Sequence, residues 1–302
     1  MRIFDGHAHY IPPDIAKNTA FFKSHWSDIA RLLAVMDANE IERALLLYPT
    51  TDAHLNMGGW AKVCRMYNQE IAALVDQHPD RLSGAGIVPA DDPAELAAEL
   101  ARINKYGFPA VSLASSYDGR YLDDDYFAPL YEFCAAKNIV IHVHPQIINP
   151  IGEERVKDPL LTPVLEYVFD VSICIGKMLM SQIFLKYPDV KFIFSYYGGV
   201  LPWVKERFDN TYEMLRGRGL VKDLGKSPGS YFQNIYLDMS GANSPAALCC
   251  ALEMTDSRHI IFGSDFPANQ NISKTVQAVE GARLMPLDKQ NILRDNLKCI
   301  FR

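Results

Sequence analysis

Apolar and polar positions alternate along this chain at two scales, and the coarser one sets the architecture. Eight short runs are near-continuously apolar and end in polar or turn residues. They are Arg2–His9, Ile41–Pro49, Leu82–Pro89, Ala110–Ala114, Ile139–Pro145, Lys191–Gly198, Ile235–Ser240 and Ile260–Pro267. Strands buried on both faces have this signature, because neither side of the pleat meets water. Longer stretches with helical period lie between them: Ser27–Ala38, Gly59–Gln77, 91–107, Tyr126–Lys137, 160–187, Leu201–Arg216, Ser244–Met254 and Ser273–Leu284. The segment at 91–107 carries its own punctuation, with acidic residues and a proline at its start and Gly107 after its end. Eight strands alternating with helices predict an α/β protein of the (β/α)8 TIM barrel type, with a doubly wound open sheet as the second choice.

Composition narrows the class. The chain has 302 residues, which a single barrel domain over 1–302 accommodates, and no low-complexity tract or Gly/Ser linker divides it. Lys and Arg number 30 against 36 Asp and Glu, a formal net charge of −6. That balance gives no basic footprint for nucleic acid or an anionic membrane surface. The most apolar stretch, around Val168–Met180, is interrupted by Asp170 and Lys177 and falls short of a transmembrane span. The opening MRIFDGHAHY has no apolar run behind a basic start, so a cytoplasmic protein is expected. Six cysteines form no CxxC pair and are expected to be reduced thiols.

Chemistry concentrates at the strand ends. His7 and His9 close the first run and His142 and His144 the fifth, each pair at i, i+2, so both rings of a pair share one strand face. The C-terminal ends of barrel strands are where this fold places its active site. Imidazoles converging there suit a borderline divalent metal, zinc first and manganese second. His144 stands nearer the mouth, and His142, one layer deeper, is a candidate for a residue behind the ligands. Asp265, in the eighth run, brings a carboxylate to the same mouth, where it can hold the cation or move a proton. In the loops, Arg155, His54 and Trp60 are candidates for contact with a small-molecule substrate.

FDGHAH at the start, HP after the fifth strand, YYGG after the sixth and GSDFP after the eighth resemble the amidohydrolase superfamily. The nearer likeness is to its branch containing aminocarboxymuconate-semialdehyde decarboxylase, resorcylate decarboxylases and pyrone dicarboxylate lactonase. The stretch YNQEIAALVDQHPDRLSGAGIVPADDP and the closing NILRDNLKCIF resemble the same branch, so the likeness runs through the whole chain. The resemblance implies a (β/α)8 barrel binding one divalent metal, with His7, His9 and His144 as ligands and Asp265 as ligand or general base. It also exposes a departure: the branch commonly has a histidine where Tyr196 stands here. A phenol is a poor proton shuttle near neutral pH. The expectation is therefore a metal-dependent hydrolase of a small carboxylated lactone, amide or ring-cleavage product, with Tyr196 as a hydrogen-bond donor. The alternatives are a metal-dependent decarboxylase of an aromatic or muconate-type acid, or a metal-poor non-catalytic relative. A homodimer is left open.

Overall fold

The computed structural model describes residues 2–152, 156, 158–232, 235–241 and 243–301. Its eight barrel strands are β1 (Ile3–His9), β2 (Ile41–Leu47), β3 (Leu82–Gly86), β4 (Ala110–Ala114), β5 (Val140–His144), β6 (Phe192–Phe194), β7 (Tyr236–Asp238) and β8 (Ile260–Ile261). They lie in sequence order, and every neighbouring pair is parallel. Backbone bonds from Gly6 N to the Phe262 oxygen (2.8 Å), Asp265 N to the His7 oxygen (2.8 Å) and His9 N to the Phe266 oxygen (2.7 Å) join the last strand to the first. A doubly wound sheet would reverse its strand order and leave two edges, so the open-sheet alternative is excluded.

The outer helices are α1 (Ile29–Ala38), α2 (Trp60–Gln77), α3 (Pro93–Tyr106), α4 (Ala128–Lys137), α5 (Tyr167–Met180), α6 (Leu201–Gly217), α7 (Pro245–Met254) and α8 (Ile272–Glu280). Their starts follow from capping side chains. Asp28 accepts from Arg31 N at 2.9 Å, and Asp92 from Ala94 N and Glu95 N at 2.9 and 3.2 Å. Gly107, at φ +70°, ends α3 in the left-handed conformation that glycine adopts without penalty. The continuous helix expected over 160–187 is instead three pieces. A π-type turn over Thr162–Glu166 leads into α5, and Gln182, at φ +59°, separates α5 from a last turn at Ile183–Lys186.

The later strands are shorter than their apolar runs. The run Ile260–Pro267 is ladder-paired only at Ile260 and Ile261; its remainder bonds to β1 as irregular backbone. Inside the barrel, Leu45, Leu47, Ala85, Ala110, Val140, Ile193 and Ile261 form a separate apolar cluster, joined by Leu297 and Ile300 of the closing segment. Pleat alternation puts Val140, His142 and His144 on one strand face. Since Val140 belongs to this inner cluster, the two histidines stand successively above the apolar plug, toward the strand C-termini. The plug gives the site a rigid, dry base.

Candidate metal and substrate site

His7, His9 and His144 bring their rings together at the mouth, with centroids 4.7, 5.4 and 5.0 Å apart for the pairs 7–9, 7–144 and 9–144. All three are buried, and a ligand nitrogen of each lies within 4.8 Å of the others. Outer contacts select which nitrogen faces inward. His7 Nδ1 lies 2.8 Å from Asp238 Oδ2, His9 Nδ1 3.3 Å from the Leu47 oxygen and His144 Nδ1 3.0 Å from the Pro145 oxygen. With an acceptor at each Nδ1, the proton of the neutral ring belongs there, and Nε2 is left as a bare lone pair. Asp265 Oδ1 sits 3.2 Å from His9 Nε2 and 3.6 Å from His7 Nε2.

The electrostatics of this group suit a cation. Burial holds His9 below its ordinary pKa, and burial with the neighbouring His9 and His7 holds His144 well below. Both are neutral rings ready to donate a lone pair. His7 differs: burial pulls its pKa down, but the Asp238 and Asp265 carboxylates more than reverse this, and the net shift is upward. Its Nε2 is 3.0 Å from His9 Nε2, a contact that two lone pairs would not tolerate without a bridging centre, a proton or a cation, between them. In the metal-free protein a proton on either ring provides that bridge. A divalent ion would supply it better, with three imidazole nitrogens and one carboxylate oxygen as donors.

Asp238 was not foreseen as a site residue. It ends β7, and its Oδ2 lies 2.8 Å from His7 Nδ1, whose proton it can accept, and 2.9 Å from His142 Nε2. Despite its burial, which acts upward, His7 and His142 hold this carboxyl well below the ordinary range. His142 thus stands behind Asp238 rather than in the His7–His9–His144 group, and burial brings its pKa down to about 4. A lone carboxylate in IYLDMS gives little warning in a sequence. The parallel with Asp265, another carboxylate closing an apolar run, was the available signal.

Above this floor opens a cavity of about 1570 Å³, with walls drawn mainly from aromatic and aliphatic side chains. Trp26 packs beside His9, its ring 5.6 Å away, and Tyr196 lies 6.3 Å from His144. Pleat alternation does not explain the placement of Tyr196. β6 stops at Phe194, and Tyr196 and Tyr197 occupy a tight turn at φ +56° and +53°. Ser195 therefore takes the place facing His7, its Oγ 3.5 Å from Nδ1, while Tyr196 swings up into the wall. Tyr197 also reaches the lining. Gly241 makes room for Tyr196, since a Cβ there would come within 2.3 Å of its ring. Burial, aided by the charges of Asp265 and Asp238, pushes the Tyr196 phenol well above its ordinary pKa, so it remains a neutral donor.

Two loop expectations need correction. His54 and Trp60 stack on each other, with centroids 4.1 Å apart and planes within 13°, and neither lines the cavity. Trp60 faces Tyr117 edge-on at 5.7 Å, in the packing between loop and helix. The tryptophan beside the histidines is Trp26, and His25 lines the cavity with it. Arg155, with its neighbour Lys157, lies outside the described residues.

A barrel with buried histidines and a carboxylate at its mouth, beneath a large apolar pocket, has the form of a metal-dependent enzyme. The amidohydrolase family model matches residues 4–296, and the chain belongs to that family. It is 24% identical over 247 residues to a 2-amino-3-carboxymuconate-6-semialdehyde decarboxylase of Dictyostelium discoideum, covering 79% of this chain and 68% of that protein. A gamma-resorcylate decarboxylase of Polaromonas is 26% identical over 285 residues, covering 90% and 86%. Among solved structures, 5-carboxyvanillate decarboxylase from Sphingomonas paucimobilis superposes with a TM-score of 0.89 at 22% identity, over 100% of this chain and 99% of that one. A dihydroxybenzoic acid decarboxylase from Polaromonas with bound manganese gives 0.82 at 21% identity, over 99% and 96%. These relatives are decarboxylases, and none of them supports the expectation of a lactone or amide hydrolase.

Proposed function

We propose that the protein is a metal-dependent decarboxylase of an aromatic or vinylic carboxylic acid. The observation that carries this reading is the placement of a carboxylate and three imidazoles on the floor of an apolar, aromatic-walled pocket. The named relatives support it from outside. His7, His9 and His144, through Nε2, and Asp265 would hold the divalent ion. Bound there, the ion would bind and orient the substrate's oxygen atoms. The donor set suits zinc and manganese alike.

The protein's own groups perform the rest. Trp26, Tyr196 and the aliphatic walls take the substrate ring out of water. An apolar surround favours loss of a carboxylate whose charge disperses as neutral carbon dioxide forms. Asp265 carries the proton. Its carboxyl group delivers a proton to the carbon bearing the carboxylate. The carbon–carbon bond then breaks, its electron pair stays on that carbon, and carbon dioxide leaves. Solvent returns the proton to Asp265. Tyr196 donates a hydrogen bond to a substrate oxygen and moves no proton. The histidine that the resemblance led us to seek at position 196 is not required by this scheme, because Asp265 already closes the proton balance.

The test is a panel of aryl carboxylic acids and of lactones offered to protein loaded with zinc or manganese. Carbon dioxide release from an aryl acid is the expected outcome. Hydrolysis of lactones with no carbon dioxide from any acid would contradict the reading.

A further inference from the structure

The cavity is larger than one benzenoid acid needs. Its volume of about 1570 Å³ exceeds the roughly 300–1,000 Å³ of pockets that enclose drug-sized ligands. Its charges are also unevenly placed. The histidines and Asp265 form the floor, and Lys23 is the one ammonium or guanidinium group among the described lining residues. Asp158, also in the lining, is turned to its own chain, where Oδ1 accepts from Leu160 N and Leu161 N at 2.8 and 2.9 Å.

Lys23 is tied to the floor by a short, well-anchored path. It begins the single 3-10 turn Ser24–Ser27, and its carbonyl accepts from Trp26 N at 3.0 Å. The turn is fastened to the end of β1 by Ile11 N donating to the Trp26 oxygen (2.9 Å) and Ser27 Oγ donating to the Ile11 oxygen (2.6 Å). Trp26 in turn packs beside His9 and, edge-on at 4.7 Å, against Phe22. Lys23 is exposed, and among the described residues no ion pair engages its ammonium. The backbone thus anchors residue 23 three residues before the tryptophan that packs beside a candidate metal ligand, and the Lys23 side chain lines the same cavity.

We propose that the substrate is an extended aromatic acid with a second, distal carboxylate, which pairs with Lys23 at the rim while the reacting carboxylate sits on the histidine floor. This rests on the acid-decarboxylase reading of the same pocket and adds the distal group. On this proposal selection by Lys23 is a matter of reach: the large cavity gives a two-ring diacid room to place one carboxylate on the floor and the other against the ammonium, and a one-ring diacid leaves the ammonium unpaired.

Binding is read by tryptophan fluorescence on metal-loaded protein, separately from turnover. The probes are terephthalate, 2,6-naphthalenedicarboxylate and 4,4′-biphenyldicarboxylate, each beside the monoacid lacking the second carboxylate. Wild type should prefer at least one two-ring diacid over its monoacid by about fivefold, the scale of one partly screened ion pair. Lys23→Met should bring that ratio to about one, and Lys23→Arg should keep most of it. Equal binding of diacid and monoacid in wild type, a preference that survives Lys23→Met, or no binding of any probe would overturn the proposal. Carbon dioxide measured on the same panel keeps the two readings apart. A Lys23-dependent diacid preference without carbon dioxide from any acid contradicts the chemistry and leaves the rim site standing. Carbon dioxide without that preference does the reverse.

Discussion

Asp265 and Tyr196 share an uncommon backbone: both take positive φ, +57° and +56°, a region that non-glycine residues enter at a cost of about 1–3 kcal/mol. Both line the cavity, so the strained positions coincide with the proposed chemistry. Asp265→Asn should lower turnover by roughly 10²-fold or more, the scale of a lost proton carrier. Steady-state kinetics with metal content measured in parallel checks this; near-wild-type turnover would remove Asp265 from the mechanism. Tyr196→Phe removes one hydrogen-bond donor and no ligand. It should cost roughly 10–10³-fold in turnover with metal content unchanged. Asp238→Asn acts one step further back. Asp238 Oδ2 holds His7 through its Nδ1, and weakening that support should lower metal affinity by roughly 10–100-fold, read by competition with a chelator.

Much of this residue layer was legible in the chain. Paired histidines at strand ends are recognisable because imidazoles are few and the i, i+2 spacing has one geometric meaning. Asp238 was not legible, since one carboxylate at the end of a short run is unremarkable until its two histidine partners are known. Tyr196 was singled out by the resemblance alone; it reaches the mouth through two left-handed residues, itself and Tyr197, which strand alternation does not describe. Its phenol also misdirected the functional expectation. Without a histidine at that place, proton transfer looked impaired, whereas Asp265 can carry the proton.

Strands and helices were the most readable level, because burial on both faces imposes continuous apolar runs. The ends of β6, β7 and β8 were least readable: their runs continue into backbone that is extended or turned but not ladder-paired. The turn after β6 shows what such backbone requires. Gly199, at φ +75°, faces α5 so closely that a Cβ would lie 2.1 Å from Ser172 Oγ and 2.3 Å from the Val168 oxygen. Gly199→Ala should therefore separate the turn from the helix and destabilise the protein by about 2–4 kcal/mol, read by denaturant or thermal unfolding. An unchanged midpoint would mean that this packing is looser than its geometry states. The pair His54–Trp60 is the opposite case. The residue types suggested a substrate contact, yet their flat stacking belongs to the seam between loop and helix.

Across the whole molecule, the barrel separates two tasks. The apolar plug and the closing segment hold the strands rigid from below, and the loops above determine what enters. Among the described residues no helix is long and apolar enough to cross a membrane. The decarboxylase reading unites the two ends of the barrel: a floor that orients and protonates, and walls that keep the carboxylate out of water. The most direct test is decarboxylation in heavy water by metal-loaded protein, following carbon dioxide and deuterium in the product together. One deuterium at the carbon that lost its carboxylate for each carbon dioxide released, abolished by chelation and restored by metal, is the predicted result. Carbon dioxide release that persists after complete removal of metal, or metal-loaded protein that releases none from aryl acids while opening lactones, would contradict it.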